Sequence, residues 1–91
     1  MIKEIECTIT GKVQMVMFRD FIQRKARALG IAGTVENRED GSVRVLAQGI
    51  DSALEKLVEH LHKGPFLARV ARVTVSWKKP VDTLRDFKII Y

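Results

Sequence analysis

Apolar residues recur at two different spacings along this 91-residue chain, and the order of those spacings restricts its fold more than any other feature. Apolar side chains at every second position indicate a half-buried strand, and apolar side chains three or four positions apart indicate an amphipathic helix. Helical spacing runs from Phe18 to Leu29 and from Leu54 to Leu61. Strand spacing occupies the segments 5–9, 34–38, 43–47, 70–77 and 84–91.

This order is strand, helix, strand, strand, helix and strand, with a further C-terminal strand, and it predicts an α+β fold. It matches the ferredoxin-like split βαβ arrangement, βαββαβ. Because each helix has a single apolar stripe, both helices are expected to pack on one face of a mainly antiparallel sheet. A chain of this length is expected to form one domain, residues 1–91.

Two short motifs predict how neighbouring elements begin and join. Asp40-Gly41 lies between alternating segments and favours a type I′ hairpin turn, in which both central residues have positive φ. The hairpin is predicted to span residues 34–48. At the second helix, Asp51 or Ser52 is expected to cap the N-terminus, and Ser52 with Glu55 fits the reciprocal capping box.

The charge balance of the chain is basic, with 16 Lys and Arg against 11 Asp and Glu and a net charge of +5. A positive charge favours phosphorylated metabolites, nucleic acid or acidic surfaces as partners, but a solvated surface explains it equally well. No stretch is apolar and long enough to span a bilayer, and residues 1–6 lack the apolar core of a signal peptide. Together with the small size and polar surface, these features predict a cytoplasmic monomer that does not bind membranes.

The usual catalytic and metal-binding motifs are missing from the sequence. Cys7 lies in an alternating apolar run and is expected to be a buried core residue. Cys7, His60 and His62 do not have the spacing of a metal-ligand set. There is no glycine–lysine loop of the Walker type and no serine nucleophile elbow. The sequence therefore predicts no metal site, no nucleotide-binding loop of this type and no serine nucleophile.

The segment between the first strand and the first helix, residues 11–19, is the remaining candidate for a functional site. A loop that runs into a helix N-terminus presents unpaired backbone N–H groups and the positive end of the helix dipole, and such a place binds anions. Arg19 stands at the start of the helix, where its guanidinium can grip a phosphate with two hydrogen bonds. The alternative is a plain connector with a solvent-exposed arginine.

This loop resembles the signature of the acylphosphatases, and the resemblance extends over almost the whole chain. The matching positions follow the order and spacing of the family pattern: Gly11-x-Val13-Gln14-x-Val16-x-Phe18-Arg19, Ala26-x-x-Leu29-Gly30-Ile31-x-Gly33-x-Val35-x-Asn37-x-x-Asp40-Gly41-x-Val43, Gly49, Gly64-Pro65, Ala68-Arg69-Val70 and Phe87-x-Ile89. The fold of that family is the split βαβ arrangement that the apolar spacing predicts.

The resemblance implies a hydrolase that converts an acyl phosphate into a carboxylate and inorganic phosphate without a cofactor. In the family, the loop backbone cradles the phosphate. The residues that the resemblance implies for this cradle are Gln14, Met15, Val16, Met17, Phe18 and Arg19. The loop arginine of the family corresponds to Arg19, which would bind the phosphoryl oxygens. The asparagine on the strand before the hairpin corresponds to Asn37, which would position the attacking water.

Two positions depart from the family pattern. Met15 stands where the family usually has glycine, and Thr34 stands where it commonly has an aromatic residue, a change expected to affect packing more than catalysis. If position 15 needs positive φ, a methionine there costs about 1–2 kcal/mol. With ordinary φ, the side chain would instead crowd the entrance to the cradle. One alternative function is therefore a phosphate-binding or regulatory domain of the same fold with weakened turnover.

An RNA-binding module shares this order of elements and is a second alternative. RNA-binding modules of this fold carry stacking aromatic residues on a central strand. The corresponding segment, residues 41–48, contains no aromatic residue. We therefore expect a small acyl phosphate or inorganic phosphate as ligand, and no nucleic acid.

Overall fold

The structure, a computed structural model, describes residues 1–91 and contains two helices and five strands. The helices are α1 (Phe18–Ala28) and α2 (Asp51–Lys63), and neither is long and apolar enough to cross a membrane. The strands are β1 (Lys3–Lys12), β2 (Ala32–Asn37), β3 (Val43–Gly49), β4 (Arg69–Lys78) and β5 (Phe87–Ile90). The predicted order of elements is confirmed.

All five strands form one sheet in the order β4-β1-β3-β2-β5. β1 pairs antiparallel with β3 and β4, β2 pairs antiparallel with β3, and only β5 runs parallel to its neighbour β2. The prediction of a mainly antiparallel sheet with an extra C-terminal strand is therefore confirmed. The pairing of Glu36 with Ile90 brings the end of β5 beside Asn37, the last residue of β2.

Both helices pack on the same face of the sheet, and the hydrophobic core lies between these two layers. Cys7 is fully buried in this core, as predicted. Its burial raises the pKa of the thiol to about 12, so the neutral thiol is a packing group and not a nucleophile. The helical side chains that close the core are Phe18, Ile22, Ala26, Leu54, Leu57 and Leu61.

The other face of the sheet is partly exposed to solvent, with Glu4 and Gln48 buried at one end, and it carries a chain of ion pairs. Arg44 on β3 bridges Glu6 on β1, at 3.0 Å, and Glu36 on β2, at 3.4 Å. Lys78 on β4 contacts the second carboxylate oxygen of Glu6 at 2.7 Å. Hydrogen bonds from Arg44 and Lys78 lower the pKa of Glu6 to about 2. Acidic and basic side chains therefore neutralise each other on this face.

The connection between β4 and β5, residues 79–86, crosses the sheet because these strands lie on opposite edges. Gln48 fixes this crossing through the nitrogen and the oxygen of its side-chain amide. Its Nε2 donates to the Asp82 carbonyl at 2.6 Å, and its Oε1 accepts from the Leu84 N–H at 2.9 Å. Because Leu84 bonds to this side chain and not to a strand, β5 begins at Phe87, later than predicted.

The hairpin between β2 and β3 is present, but its turn is not the predicted type I′ turn. Gly41 has a φ of 91°, whereas Asp40 does not have positive φ. The Arg38 N–H donates to the Ser42 carbonyl and the Gly41 N–H donates to the Arg38 carbonyl, which leaves a three-residue loop, 39–41. The Asp40 carboxylate stabilises this longer loop by accepting from the Ser42 N–H at 2.9 Å and from its hydroxyl at 2.6 Å.

The predicted capping box of α2 is absent. β3 ends at Gly49 and the helix begins at Asp51, so Ile50 occupies the N-cap position and no side chain caps the helix. Ser52 lies inside the first turn, where it cannot act as the cap. Asp51 instead forms an ion pair with Lys3 at 3.0 Å, and its negative charge suits the helix N-terminus.

Candidate active site

In the connection between β1 and α1, residues 13–17, the backbone alternates between positive and negative φ from Met15 to Met17. Met15 has a φ of 60° and Met17 a φ of 61°, whereas Val16 between them does not have positive φ. Successive N–H groups in a backbone of alternating hand point to one concave side and form a nest that binds anions. The loop identified in the sequence therefore has the backbone form of an anion site.

The backbone N–H groups at the start of α1 are free to bind a ligand. The first N–H of this stretch that reaches a carbonyl is that of Phe21, which donates to the Met17 carbonyl at 3.0 Å. The N–H groups of residues 16–20 donate to no backbone carbonyl, as expected at a helix N-terminus. The positive end of the helix dipole strengthens their attraction for an anion.

A pocket of about 130 Å³ lies between this loop, the start of α1 and the ends of β2 and β5. A water molecule takes up roughly 30 Å³ in the liquid, so the pocket has room for a phosphoryl group. Of the seven residues singled out in the sequence, five line this pocket, and Gln14 and Val16 do not. The lining residues are Val13, Met15, Met17, Phe18, Arg19, Asp20, Asn37, Ile89 and Tyr91.

The side chains of Gln14 and Val16 fix the position of the loop. Gln14 Nε2 donates to the Arg38 carbonyl at 2.7 Å and to the Ser42 carbonyl at 2.9 Å, which ties the loop to the β2–β3 turn. Val16 packs against the hydrophobic core. Phe18, which begins α1, is buried and anchors the other end of the loop. Gln14 and Val16 therefore offer a ligand in the pocket only their backbone groups.

Arg19 is held against the end of β5. Its Nη1 donates to the Ile90 carbonyl at 3.4 Å, and its guanidinium carbon lies 4.9 Å from the centre of the Tyr91 ring. A guanidinium above an aromatic face is attracted to the negative face of the ring. These contacts hold the positive charge at the pocket wall and leave most of the guanidinium N–H groups available to a ligand.

Asp20 brings a negative charge to the same pocket. Its Oδ2 accepts a hydrogen bond from Arg24 Nε at 2.9 Å, one turn further along α1. Because this ion pair offsets the charge of the carboxylate, Arg19 supplies the net positive charge of the pocket.

Asn37 lines the pocket with a side-chain amide that makes no hydrogen bond within the protein. Its Oδ1 atom is shielded from solvent and has no partner. Buried polar atoms are nearly always hydrogen-bonded, so this amide is available to a ligand. No bond fixes its rotation about χ2, so it can turn either its oxygen or its nitrogen towards the pocket.

The contribution of β5 to the pocket was not predicted from the sequence. The alternation of Phe87, Ile89 and Tyr91 indicates a half-buried strand face, but it does not identify the neighbouring strand. Ile89 reaches the pocket because it pairs with Val35 of β2. That pairing depends on the long crossing of the sheet after β4, for which the sequence contains no local signal.

Met15 has positive φ, and this left-handed conformation lowers the stability of the fold by about 1–2 kcal/mol when the residue is a methionine. Its side chain is almost fully exposed, so burial does not offset this cost. We expect Met15→Gly to raise the free energy of unfolding by about 1 kcal/mol, once the greater freedom of glycine in the unfolded chain is allowed for. Urea denaturation followed by circular dichroism measures the change.

Val16→Gly is the matched control for this substitution. Val16 lacks positive φ and packs against the core, so its replacement by glycine is expected to lower the free energy of unfolding. A Met15→Gly variant no more stable than the parent would contradict backbone strain at position 15.

Comparison with known proteins provides a separate line of evidence. The family model described as Acylphosphatase matches residues 5–89. The acylphosphatase of Salinibacter ruber is 46% identical over 87 residues, which are 96% of this chain and 92% of the relative. The acylphosphatase of Methanococcoides burtonii is 44% identical over 84 residues, which are 92% of this chain and 88% of the relative.

A solved structure agrees with these sequence relationships. The crystal structure of the acylphosphatase from Bacillus subtilis matches with a TM-score of 0.95 at 34% identity, over the full length of both chains. The match therefore includes the crossing of the sheet and the C-terminal strand that completes the pocket. From its sequence and from its fold, the chain belongs to the acylphosphatase family.

Proposed function

We propose that this chain hydrolyses acyl phosphates by holding the phosphoryl group with the β1–α1 loop and Arg19 while Asn37 positions the attacking water. Hydrolysis of acyl phosphates to a carboxylate and inorganic phosphate follows from the family, and the relatives favour it over a binding domain that has lost turnover. The observation that carries the assignment of residues is that the nest-forming loop, Arg19 and Asn37 meet at one pocket.

The phosphoryl group binds with its oxygens directed at the N–H groups of residues 16–20. Arg19 binds two of these oxygens through its guanidinium fork. The transition state of phosphoryl transfer is loose and spreads negative charge over the equatorial oxygens. Donors that are already fixed in place stabilise that charge without reorganisation, and each is typically worth about 3–4 kcal/mol.

Asn37 acts on the water and not on the phosphoryl group. An amide is a poor base, so it takes no proton, and its role is to orient the water by a hydrogen bond. Holding two reacting groups in line removes much of the entropic barrier to their reaction. The unpaired amide of Asn37, beside the pocket that binds the phosphoryl group, supports this role.

The reaction forms one bond and breaks one. The water oxygen attacks phosphorus, and the bond between phosphorus and the bridging acyl oxygen breaks. The electron pair of that bond leaves with the carboxylate, and the proton of the water passes to phosphate or to solvent. A carboxylate is stable without protonation, so the site needs no general acid.

Acetyl phosphate and glycerol phosphate, compared in chelator-treated buffer, test this function. The alkoxide that leaves glycerol phosphate needs a proton, yet the pocket is lined by no histidine and its Asp20 is paired with Arg24. General acid catalysis is typically worth about 100- to 10,000-fold, so we expect acetyl phosphate to react at least about a hundredfold faster. Comparable rates, or loss of acetyl phosphate turnover on chelation, would contradict the proposal.

We also propose that the chain acts as a cytoplasmic monomer that binds no nucleic acid. The central strands β1 and β3 carry no aromatic residue on which bases could stack. On the open face, Arg44 and Lys78 are neutralised by Glu6 and Glu36. Light scattering is expected to give the 10.3 kDa mass of one chain, and a dimer mass would contradict the monomer.

A further inference from the structure

A second groove continues from the phosphate pocket towards the connection between α2 and β4. It has a volume of about 250 Å³ and shares Met15 and Met17 with the pocket. Its remaining apolar walls are Val16, Pro65, Phe66 and Leu67. The two spaces therefore adjoin, and a ligand with its phosphoryl group in the pocket can extend into this groove.

Four walls of this groove are large apolar side chains that are exposed to solvent. The exposed fraction is 98% for Met15, 72% for Met17, 90% for Phe66 and 69% for Leu67. Single exposed apolar residues are ordinary on a protein surface, but a contiguous group of them marks a binding site.

Phe66 and Leu67 occupy a position where folding does not call for apolar residues. They are the two central residues of a turn that is closed by the Ala68 N–H donating to the Pro65 carbonyl at 3.0 Å. Such positions usually hold glycine, proline, asparagine, aspartate or serine. Neither side chain belongs to the core or packs against it. Their apolar character is therefore available for binding.

Met15 supplies a second observation, because its side chain is kept at a strained backbone position. Strained residues cluster at binding and active sites. Methionine is flexible and polarisable, so it adapts to apolar ligands of different shapes. Arg24 is the one charged residue that lines the groove, and its ion pair with Asp20 leaves the groove suited to an uncharged occupant.

We propose that this groove is an acyl-binding subsite and that the preferred substrates are acyl phosphates with an apolar acyl group longer than acetyl. The inference rests on the proposed function, which assigns the phosphoryl group to the adjoining pocket. In an acyl phosphate, one bridging oxygen joins the acyl carbon to phosphorus. The acyl chain therefore leaves the pocket where Met15 and Met17 line both spaces.

The ratio of kcat/KM for hexanoyl phosphate to that for acetyl phosphate tests the subsite. The two carboxylate leaving groups have nearly equal basicity, so the ratio reports on binding of the acyl chain. We expect the parent to prefer hexanoyl phosphate by about tenfold or more. The double variant Phe66→Ser/Leu67→Ser is expected to lower this ratio at least about fivefold. Since both side chains are exposed, the variant should keep its fold, which circular dichroism checks.

Val81→Ser is the matched control, because Val81 is 92% exposed and lies on the β4–β5 connection, away from the groove. It is expected to keep the ratio of the parent. A parent ratio near one, or an unchanged ratio in the double variant, would overturn the subsite. If acetyl phosphate hydrolysis still depends on Arg19 in that case, the proposed function stands. If neither substrate is hydrolysed, both proposals fail.

Calorimetry provides a readout that does not depend on turnover. Hexylphosphonate and methylphosphonate are phosphate analogues that lack the labile bond. The parent is expected to bind hexylphosphonate about tenfold more tightly, and the double variant is expected to lose most of that preference. Equal affinity of the parent for the two phosphonates would overturn the subsite.

Discussion

Replacement of Arg19 with alanine is expected to lower kcat/KM for acetyl phosphate roughly a thousandfold. Arg19 supplies the net positive charge of the pocket, and no other lining residue is basic. The phosphoryl oxygens lose the Arg19 guanidinium as a binding partner both in the bound substrate and in the transition state, so KM should rise and kcat should fall. Initial-rate kinetics over a range of acetyl phosphate concentrations separate the two effects.

Arg72→Ala is the matched control for Arg19→Ala. It removes the same charge from an exposed position on β4, so it is expected to change kcat/KM less than about twofold. Arg19→Lys keeps the charge but lacks the planar fork, and it should recover only part of the activity. An Arg19→Ala variant within tenfold of the parent would contradict the role of Arg19.

Replacement of Asn37 with alanine is expected to lower kcat about a hundredfold or more, with a much smaller effect on KM. The amide orients the water and does not bind the phosphoryl group, so substrate affinity should be largely kept. Because the Asn37 side chain makes no hydrogen bond within the protein, its loss should change the free energy of unfolding by less than about 1 kcal/mol. Kinetics and urea denaturation on the same preparation measure the two quantities.

Thr34→Ala is the control on the same strand, since residues 34 and 37 lie on opposite faces of β2. It is expected to leave kcat unchanged. Asn37→Asp tests the alternative that this position needs a base. Full activity in Asn37→Asp would indicate general base catalysis and would contradict a role limited to positioning the water.

Much of the fold could be predicted from apolar spacing because each helix and strand buries one face. The two helices and the β2–β3 hairpin lie where that spacing indicates. The local motifs were less reliable where neighbouring elements competed with them. Ser52 does not cap α2 because only one residue, Ile50, separates the end of β3 from the start of the helix at Asp51. Asp40 takes part in a longer turn because its carboxylate bonds to Ser42.

The candidate site was predictable where its residues are close in the chain. The loop and Arg19 are contiguous, and the resemblance to the acylphosphatases added Asn37. Ile89 and Tyr91 complete the pocket only through the parallel pairing of β5 with β2 and the crossing fixed by Gln48. Contacts between residues so far apart in sequence leave no periodic pattern. The groove that Phe66 and Leu67 form with the β1–α1 loop could not be predicted for the same reason.

The proposed function requires that a water positioned in the pocket attacks phosphorus and not the acyl carbon. Hydrolysis of acetyl phosphate by the parent in water enriched with oxygen-18, followed by mass spectrometry of both products, tests this claim most directly. We expect the label to appear in inorganic phosphate and acetate to remain unlabelled. Label in acetate would mean attack at the carbonyl carbon and would contradict the assignment of the loop, Arg19 and Asn37.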